Sequence, residues 1–344
     1  MVKQKKRVIV LFRCYVCSNS KNNIAFKVRE MMFGFGDEFT YIECPNCGCL
    51  QISHIPSNIS KFYPSNYYSF SKRPDTNLSF NLMKGRILRT LLFSDAVVAK
   101  VLQPITLLRP DYADRIAVYS SIRRGSLPKD SRILDVGCGS GELLYTLKNL
   151  GFKNVLGCDP NVEENINYKN GLKILKATIQ EIEGKWDLIM FNKSFEHIPD
   201  QIEILQSVHN LLNDRGVCLI TMPTTSSYAW KYYKANWVQL DAPRHLFIHS
   251  LESMRIMTKR ANLTLREVVF NSSAFQFWGS EQYSRNIPLR SKESYCENPA
   301  KSIFSRKQIR AFARKAAELN NKGQGDIATF YLNREQKRSK NPIS

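Results

Sequence analysis

The chain has 344 residues, of which 43% are hydrophobic, so it is long and apolar enough to bury a full core. Disordered, fibrous and small disulfide-rich proteins are therefore excluded as descriptions of the whole chain. Lys and Arg number 50 against 30 Asp and Glu, which gives a formal net charge of +20. This excess favours an anionic partner such as nucleic acid, a membrane face or a phosphorylated substrate, although a basic composition that serves only solubility explains it equally well.

The positive charges concentrate at the two ends of the chain, between Lys3 and Arg13 and between Lys301 and Lys340. The most apolar stretch, residues 87–108, is interrupted by three charged residues and a proline, which predicts an amphipathic helix rather than a transmembrane segment. The apolar run that follows the first basic residues is too short for a signal peptide. The sequence therefore predicts a cytoplasmic protein.

Two C-x2-C pairs lie near the amino terminus, separated by 26 residues. Each pair can bind one edge of a metal ion in a tight turn, and four thiolates suit tetrahedral Zn²⁺. Residues 24–42, between the pairs, predict two strands joined by a turn at residues 34–37, and hence a zinc-ribbon-like domain over residues 1–60. A closed four-thiolate site would be structural, and redox or unmetallated thiols are the alternative. The predicted zinc ligands are Cys14, Cys17, Cys44 and Cys47.

A linker and helical segment is predicted over residues 61–114, and residues 132–144 then predict a buried strand, a glycine turn and the start of a helix. Such a unit opens a doubly wound α/β domain, which binds its ligand at the carboxyl end of the strand. A dinucleotide-binding turn would place a third glycine at position 142 or 144, but these positions hold Glu142 and Leu144. Because a carboxylate repels a pyrophosphate, this spacing disfavours nicotinamide and flavin cofactors.

The D-x-G-x-G-x-G pattern of residues 135–141 resembles the first motif of the class I S-adenosylmethionine-dependent methyltransferases. The resemblance continues in the same order to a last strand near residues 325–332, which a helix from about Ser305 precedes. It implies an α/β fold over residues 115–335, with a doubly wound, mainly parallel sheet of seven strands whose last strand is antiparallel, followed by a basic tail at residues 336–344. The cofactor-binding residues that the resemblance implies are Asp135, Gly137, Cys138, Gly139, Gly141, Asp159, Thr178, Ile179 and Asn192.

With the Cys-rich segment before it, the region of residues 237–246 is similar to a bacterial group of methyltransferases that act on sugars, nucleotide sugars or surface-glycan intermediates. This similarity implies a small-molecule or glycan acceptor, including one linked through phosphate. Arg244 could bind a substrate phosphate through two hydrogen bonds, and Trp237 could line a sugar pocket. A structural ion pair for the arginine and core packing for the tryptophan fit the sequence equally well.

Methyl transfer from a sulfonium is a direct displacement, so catalysis needs alignment, and it needs a base only where the nucleophile must lose a proton. His197 and His245 are the candidates for this base, since the ordinary pKa of histidine lies near neutral pH. His197 follows the fourth predicted strand of the domain, and His245 lies in a loop expected above the strand ends. Either histidine could instead be a packing residue.

Methylation of RNA or DNA is the main alternative function, which the net charge and the zinc ribbon favour. Enzymes that methylate exocyclic amino groups of bases resemble one another in carrying Asn or Asp, two prolines and an aromatic residue after the fourth strand. Residues 192–195 are Asn-Lys-Ser-Phe and lack both prolines, which disfavours this alternative. A zinc-ribbon binding protein with a decayed methyltransferase fold is the weakest alternative, because the carboxylates and glycines of the motifs are all present.

Overall fold

The computed structural model describes residues 8–64, Tyr119, Ile122 and residues 127–335. Most of the predicted linker and helical segment of residues 61–114 lies outside the described residues, as does the basic tail of residues 336–344. Within the described part, thirteen strands form two sheets, of five and eight strands. No helix in this part is long and apolar enough to cross a membrane.

The smaller sheet is antiparallel and consists of β1 (Val8–Val10), β2 (Asn23–Arg29), β3 (Glu38–Glu43), β4 (Leu50–Ile52) and β11 (Phe247–Ile248), in that order. β2 and β3 form the predicted hairpin, in which Ile24 pairs with Glu43 and Arg29 pairs with Glu38. The connection between them contains Gly34 at a φ of 78°, in the left-handed region that favours glycine. This hairpin confirms the two strands predicted between the C-x2-C pairs.

The larger sheet consists of β5 (Arg132–Val136), β6 (Asn154–Cys158), β7 (Ile166–Asn167), β8 (Lys173–Leu175), β9 (Trp186–Asn192), β10 (Leu212–Pro223), β12 (Leu263–Phe270) and β13 (Ile327–Arg334). Their order is β12-β13-β10-β9-β5-β6-β8-β7. The five strands from β10 to β8 run parallel, and β13 is antiparallel to both of its neighbours. This order confirms the predicted doubly wound sheet with an antiparallel last strand. The short edge strand β7 makes eight strands rather than the predicted seven.

The α-helices of the described residues are α1 (Glu142–Asn149), α2 (Gln201–Leu211), α3 (Tyr228–Tyr233), α4 (Leu251–Arg260), α5 (Phe275–Ser284) and α6 (Arg306–Asn321). The side chain of Ser305 accepts a hydrogen bond from the backbone N–H of Gln308 and so caps the first turn of α6. The helix predicted before the last strand therefore begins where the sequence places it.

The two sheets share one hydrophobic core. Residues 8–64, which contain the two C-x2-C pairs, are called the four-cysteine module below. β11 comes from the α/β part of the chain and pairs with β4 at the edge of the smaller sheet. The side chain of Thr225, just after β10, donates to the carbonyl of Gly48 at 2.6 Å. The module therefore lies against the loops at the carboxyl ends of the parallel strands, the edge where α/β domains bind their ligands.

Candidate active site

A glycine turn follows β5 at the carboxyl edge of the larger sheet. Gly137, Gly139 and Gly141 have φ values of 70°, 54° and 79°, a conformation that other residues rarely adopt. A Cβ at Gly137 would also lie 2.5 Å from the Cβ of Ser194, in the loop after β9. The Ser194 hydroxyl donates a hydrogen bond to the carbonyl of Val136 at 2.6 Å. The turn is therefore held closely between β5 and the loop after β9.

Two buried carboxyl groups lie at the same edge. Asp159 follows β6, and its oxygens accept hydrogen bonds from the backbone N–H of Gly139 at 2.8 Å and of Asn161 at 2.9 Å. Burial, together with the nearby Asp159 carboxylate, raises the pKa of Asp135 to about 8. Within the part of the chain that the structure describes, neither carboxyl forms an ion pair. A positively charged ligand would therefore meet favourable electrostatics here.

The other predicted cofactor residues surround this edge. Thr178 lies three residues beyond β8 and caps a short helical turn, in which Ile179 is buried. Asn192 ends β9, and its Oδ1 has no hydrogen-bond partner among the described residues. The Cys138 sulfur lies so close to β6 that a Cβ at Gly157 would approach it to 2.5 Å. The fold thus brings the ends of β5, β6, β8 and β9 together, as their pairing requires.

The two predicted catalytic histidines lie side by side next to this edge, with ring centroids 4.8 Å apart. His197 belongs to a short helical turn just after β9, and His245 lies in the loop before β11. One ligand atom from each ring and one from the Glu196 carboxyl lie within 4.8 Å of one another. The Nδ1 of His197 is 2.8 Å from the carbonyl of Arg244, and the Nδ1 of His245 is 2.8 Å from the carbonyl of Gln239. Because a carbonyl only accepts, each Nδ1 carries the proton and each Nε2 keeps a free lone pair.

Burial sets the protonation state of this cluster. It lowers the pKa of His197 and lowers that of His245 to about 3, so both rings are neutral at pH 7. Burial also raises the pKa of Glu196 to about 8. The Oε1 of Glu196 lies 3.8 Å from the Nε2 of His245, and its Oε2 has no partner among the described residues. The site therefore presents two neutral imidazoles that can accept a proton, beside a carboxyl group that is mostly protonated at neutral pH.

The two predicted substrate-binding residues have intramolecular partners in the structure. The fully buried Arg244 donates to Asp241 through Nε at 3.0 Å and through one terminal nitrogen at 2.6 Å. It also forms an ion pair of 3.0 Å with Glu30. The indole of Trp237 is likewise buried and donates to Asp326 at 3.1 Å. Of the roles that the sequence leaves open, these contacts favour the structural ion pair and core packing.

Three residues of the site lie outside the sequence prediction: Tyr63, Glu196 and Asp241. The hydroxyl of Tyr63 is 3.3 Å from the Nδ1 of His197. The Oδ2 of Asp241 is 3.9 Å from the Nε2 of His245. Glu196 and Asp241 lie within four positions of a predicted histidine, and this proximity is the only signal that the sequence carries. Glu196 is fully buried and the Asp241 side chain is only 12% exposed, and this enclosure follows from the tertiary structure.

The four cysteines of the C-x2-C pairs come together in the four-cysteine module. Their sulfur atoms all lie within 4.8 Å of one another, and none forms a disulfide. The Cys14–Cys47 and Cys17–Cys44 sulfur pairs are each 3.6 Å apart. Zn–S bonds of about 2.3 Å in a tetrahedron place sulfur atoms about 3.8 Å apart, so this arrangement fits a zinc ion. The turn after the second pair contains Gly48 at a φ of 70°, which lets the backbone fold around the ligands.

The fold and the site define a class of protein: a doubly wound α/β domain whose glycine turn and adjacent carboxylate suit a cationic ligand. Residues 108–268 match the family model of a methyltransferase domain. The chain therefore contains a methyltransferase domain over these residues, which confirms the resemblance of the first motif to S-adenosylmethionine-dependent methyltransferases.

Its curated relatives include ubiquinone biosynthesis O-methyltransferases. The enzyme from Actinobacillus pleuropneumoniae serotype 7 is 28% identical over 54% of this chain and 86% of its own length. The enzyme from Rickettsia bellii is 31% identical over 27% of this chain and 42% of its own length. Peramine synthetase from Metarhizium rileyi is 25% identical over 28% of this chain. The chain spans only 4% of that relative.

Among solved structures, an S-adenosylmethionine-dependent methyltransferase from Mesorhizobium loti aligns with a TM-score of 0.41 and 16% identity. The alignment covers 64% of this chain and 100% of that one. The cyclopropane synthase MmaA2 from Mycobacterium tuberculosis aligns with a TM-score of 0.38 and 15% identity, over 59% of this chain and 78% of that one.

Proposed function

We propose that the enzyme methylates a sugar, a nucleotide sugar or a surface-polysaccharide intermediate at an atom that must lose a proton. The observation that carries this proposal is the pair of neutral imidazoles with free Nε2 lone pairs beside the glycine turn. An acceptor with a free lone pair, such as a tertiary amine, needs no base, whereas a hydroxyl or an acidic C–H group does. The O-methyltransferases among the relatives also support an acceptor that carries a proton.

Residues of this chain fit S-adenosylmethionine at the edge described above. Asp159 would accept hydrogen bonds from the ribose hydroxyls, since its carboxylate is already fixed by two backbone N–H groups. Asn192 has an unpartnered side-chain oxygen at the end of β9. A cationic ligand nearby would favour ionisation of the Asp135 carboxyl, whose pKa burial otherwise raises to about 8. The bound cofactor would supply a methyl group already activated on a sulfonium.

In the mechanism that we propose, the chain orients the acceptor and removes its proton. His197 and His245 are neutral at pH 7, and one of them takes the proton through its free Nε2. Burial disfavours the imidazolium of His245, and the carboxylate of Asp241, 3.9 Å from its Nε2, offsets part of this cost. Glu196 and His245 are buried, which limits the access of water, a competitor of the acceptor as the proton donor.

We propose that the four-cysteine cluster binds a structural zinc ion. Four thiolates fill the tetrahedral coordination of zinc and leave no position for substrate, so the ion would hold the turns around Cys14 and Cys44 together. All nine cysteines are free of disulfides, which is typical of a reducing compartment and supports a cytoplasmic location.

The loop after β9 supports a small acceptor over a nucleic-acid base. Phe195 occupies the position of the aromatic residue in base-methylating enzymes, but here it is fully buried and packs edge-on against Phe191 at 5.5 Å. A side chain enclosed in this way offers no face on which a flipped base could stack. The basic surface would then serve an anionic acceptor, such as a phosphate-linked sugar.

Transfer of tritiated methyl groups tests the acceptor class. Labelled S-adenosylmethionine is incubated with the full chain and with fractionated glycans, nucleotide sugars or RNA, and we expect label in a sugar-containing fraction. Label that enters only RNA would overturn the proposal. A salt titration against generic RNA adds a second check, because a surface that tracks phosphates loses affinity steeply as salt rises.

The role of the histidines is tested with the acceptor fraction that takes up label. We expect His197→Asn or His245→Asn to lower the transfer rate by roughly 10²- to 10⁴-fold, the usual contribution of a positioned base. His54→Asn, at an exposed position of the four-cysteine module, is the matched control and should transfer at the wild-type rate. Wild-type rates in both single variants and in the double variant would show that neither of these two histidines acts as the base.

A further inference from the structure

We propose that the four-cysteine module positions the two active-site histidines, and that Glu30 and Tyr41 of the module are the positioning residues. The inference rests on the proposed role of His197 and His245 as proton acceptors. It goes beyond that role because it assigns part of the catalytic geometry to a segment that lies far away in the sequence. The side chains of Glu30 and Tyr41 contact neither histidine ring.

Glu30 is a fixed, buried anchor at the end of β2. Its carboxylate accepts backbone N–H hydrogen bonds from four successive residues at 2.9–3.2 Å: Met32, Phe33, Gly34 and Phe35. The remaining contact is the ion pair with Arg244, at 3.0 Å and with both side chains fully buried. A buried carboxylate with so many donors cannot reorient without leaving several of them unsatisfied. Glu30 therefore fixes where the guanidinium lies.

Arg244 transmits this position to the loop that carries His245. Its guanidinium binds both carboxylate oxygens of Asp241, and its second terminal nitrogen donates to the carbonyl of Phe62 at 3.1 Å. Burial opposes ionisation of Asp241, but the charge and hydrogen bonds of Arg244 outweigh it and lower the pKa of Asp241. The result is a charged carboxylate held 3.9 Å from the Nε2 of His245, where an imidazolium would form.

Tyr41 holds the same loop from the other side. Its buried hydroxyl donates to the carbonyl of His245 at 2.7 Å. One residue later, the carbonyl of Leu246 accepts a hydrogen bond from the N–H of Ile52 at 2.9 Å, and β11 then pairs with β4. The main chain at residues 244–248 is therefore attached to β3 and β4 of the four-cysteine module.

Both histidines depend on this stretch of main chain. The ring of His245 extends from it directly, and the carbonyl of Arg244 accepts the Nδ1–H of His197. A shift of residues 244 and 245 would weaken the hydrogen bond that fixes the tautomer of His197 and would move the ring of His245. Loss of the Glu30–Arg244 ion pair or of the Tyr41 hydrogen bond should therefore change the tautomers and ring positions of both histidines, although Glu30 and Tyr41 lie in another segment.

The cofactor edge has its own supports. The N–H groups that hold the glycine turn and Asp159 find their acceptors within residues 136–175, and Ser194 closes the turn from β9. A change at Glu30 or Tyr41 should thus alter the tautomers of the two histidines and leave the affinity for S-adenosylmethionine intact. A change at a residue with a merely structural role would instead disturb the tautomers and also weaken cofactor binding.

Nitrogen-15 NMR of the histidine side chains tests the proposal without an acceptor. The full chain is labelled with ¹⁵N-histidine, and the Nδ1 and Nε2 shifts at pH 7 report which nitrogen carries the proton. We expect Nδ1–H tautomers for His197 and His245 in the wild type. In Tyr41→Phe and Glu30→Gln we expect both rings to gain Nε2–H tautomer, while calorimetry gives an unchanged dissociation constant for S-adenosylmethionine.

Matched controls separate positioning from general destabilisation. Tyr232→Phe removes a hydroxyl from an exposed tyrosine, and Glu38→Gln neutralises an exposed carboxylate on β3. We expect both controls to keep the wild-type histidine shifts. Unchanged tautomers in Tyr41→Phe and Glu30→Gln would overturn the proposal, as would weakened cofactor binding in both variants. Tyr41→Phe deletes one atom and buries no new charge, so it keeps the test decisive if Glu30→Gln fails to fold.

Transfer kinetics distinguish this proposal from the proposed function. With an active acceptor, Tyr41→Phe should lower kcat by roughly ten- to a hundredfold, the cost of a small misplacement of a catalytic group, at an unchanged KM for S-adenosylmethionine. If His197→Asn and His245→Asn transfer at the wild-type rate, the base role is wrong whatever the tautomers show. If those variants fail but Tyr41→Phe has wild-type tautomers and kcat, the base role stands and the positioning role is wrong.

Discussion

The cofactor edge and the histidine cluster meet in the loop after β9, yet they are built in different ways. The cofactor edge is local, since a strand, a glycine turn and the end of the next strand supply its donors and carboxylates. The histidine cluster is assembled from distant segments, and Arg244 alone has partners 182 and 214 residues away. Local changes should therefore disable the cofactor edge alone, whereas the cluster should be sensitive to changes far from it in the sequence.

The largest effect is expected at the four predicted metal ligands, which hold together the module that supports the histidine cluster. In Cys44→Ser we expect bound zinc to fall from about one ion per chain to none, because three thiolates and a hydroxyl form a poor zinc site. Structural zinc sites contribute about 10 kcal/mol or more to the folding of small zinc-binding peptides, so the melting temperature should drop strongly. Metal analysis and thermal unfolding measure the two outcomes.

Cys296→Ser is the control for the loss of a cysteine, since Cys296 is exposed and lies outside the cluster. It should keep both the zinc and the wild-type melting temperature. A wild-type protein purified without chelators that contains no zinc, or a Cys44→Ser protein that keeps one ion, would contradict the assignment.

The second prediction concerns the cofactor edge. Asp159→Ala removes the carboxylate that we expect to bind two ribose hydroxyls, and hydrogen bonds to a charged group contribute about 1.5–3 kcal/mol each. The dissociation constant for S-adenosylmethionine should therefore rise roughly 100-fold or more, as measured by calorimetry. Glu163→Ala, four residues further on and exposed, removes the same charge and should bind normally. Equal affinities in the two variants would place the cofactor elsewhere.

The same contrast explains how much the sequence could predict. Gly137, Gly139, Gly141 and Asp159 each follow a strand at short range, so a motif and the hydrophobic pattern were enough to place them at one edge. The mainly parallel sheet with an antiparallel last strand followed from the family resemblance, and the structure confirms it. The two C-x2-C pairs likewise identify a cluster, because their spacing is a property of the chain itself.

The surroundings of Arg244 could not be predicted in the same way. An arginine in a loop has the same sequence signature whether it meets a substrate phosphate or two buried carboxylates. Only the tertiary structure shows that Glu30 and Asp241 surround it. The pairing of β4 with β11 could not be predicted from the sequence either, because a two-residue strand carries no hydrophobic pattern.

A third prediction tests how closely the glycine turn is packed. Gly137 and Gly36 both have positive φ values, 70° and 81°, but a Cβ at Gly137 would meet Ser194 at 2.5 Å while one at Gly36 would meet nothing within 4 Å. Gly36→Ala should cost about 1–2 kcal/mol of unfolding free energy, the cost of left-handed backbone with a Cβ. Gly137→Ala should cost roughly 1–3 kcal/mol more, because the extra methyl group is forced into occupied space.

Urea unfolding of the two glycine variants measures this difference. We also expect Gly137→Ala to weaken binding of S-adenosylmethionine and Gly36→Ala to leave it unchanged. Equal unfolding free energies would mean that the turn has room to relax, and the close approach of β5 to the loop after β9 would then have no energetic role.

The smallest effect is expected at His249, next to β11, where the pH dependence of stability tests whether burial keeps a histidine neutral. Its ring is buried between Ser253 and Gln201, and burial lowers its pKa to about 3. Its usual pKa in an unfolded chain is about 6.5, so the unfolded state binds the proton first as the pH falls. The unfolding free energy of the wild type should therefore exceed that of His249→Gln by its full amount above about pH 6.5, and this difference should decline toward pH 3 by up to about 1.4 kcal/mol per pH unit.

Urea unfolding at pH 7.5 and 5.5 should show a change of about 1.4 kcal/mol in the difference between the wild type and His249→Gln. His54→Gln, at an exposed position, is the control for loss of a histidine, and an equal pH dependence in both variants would show that His249 is not held neutral by burial.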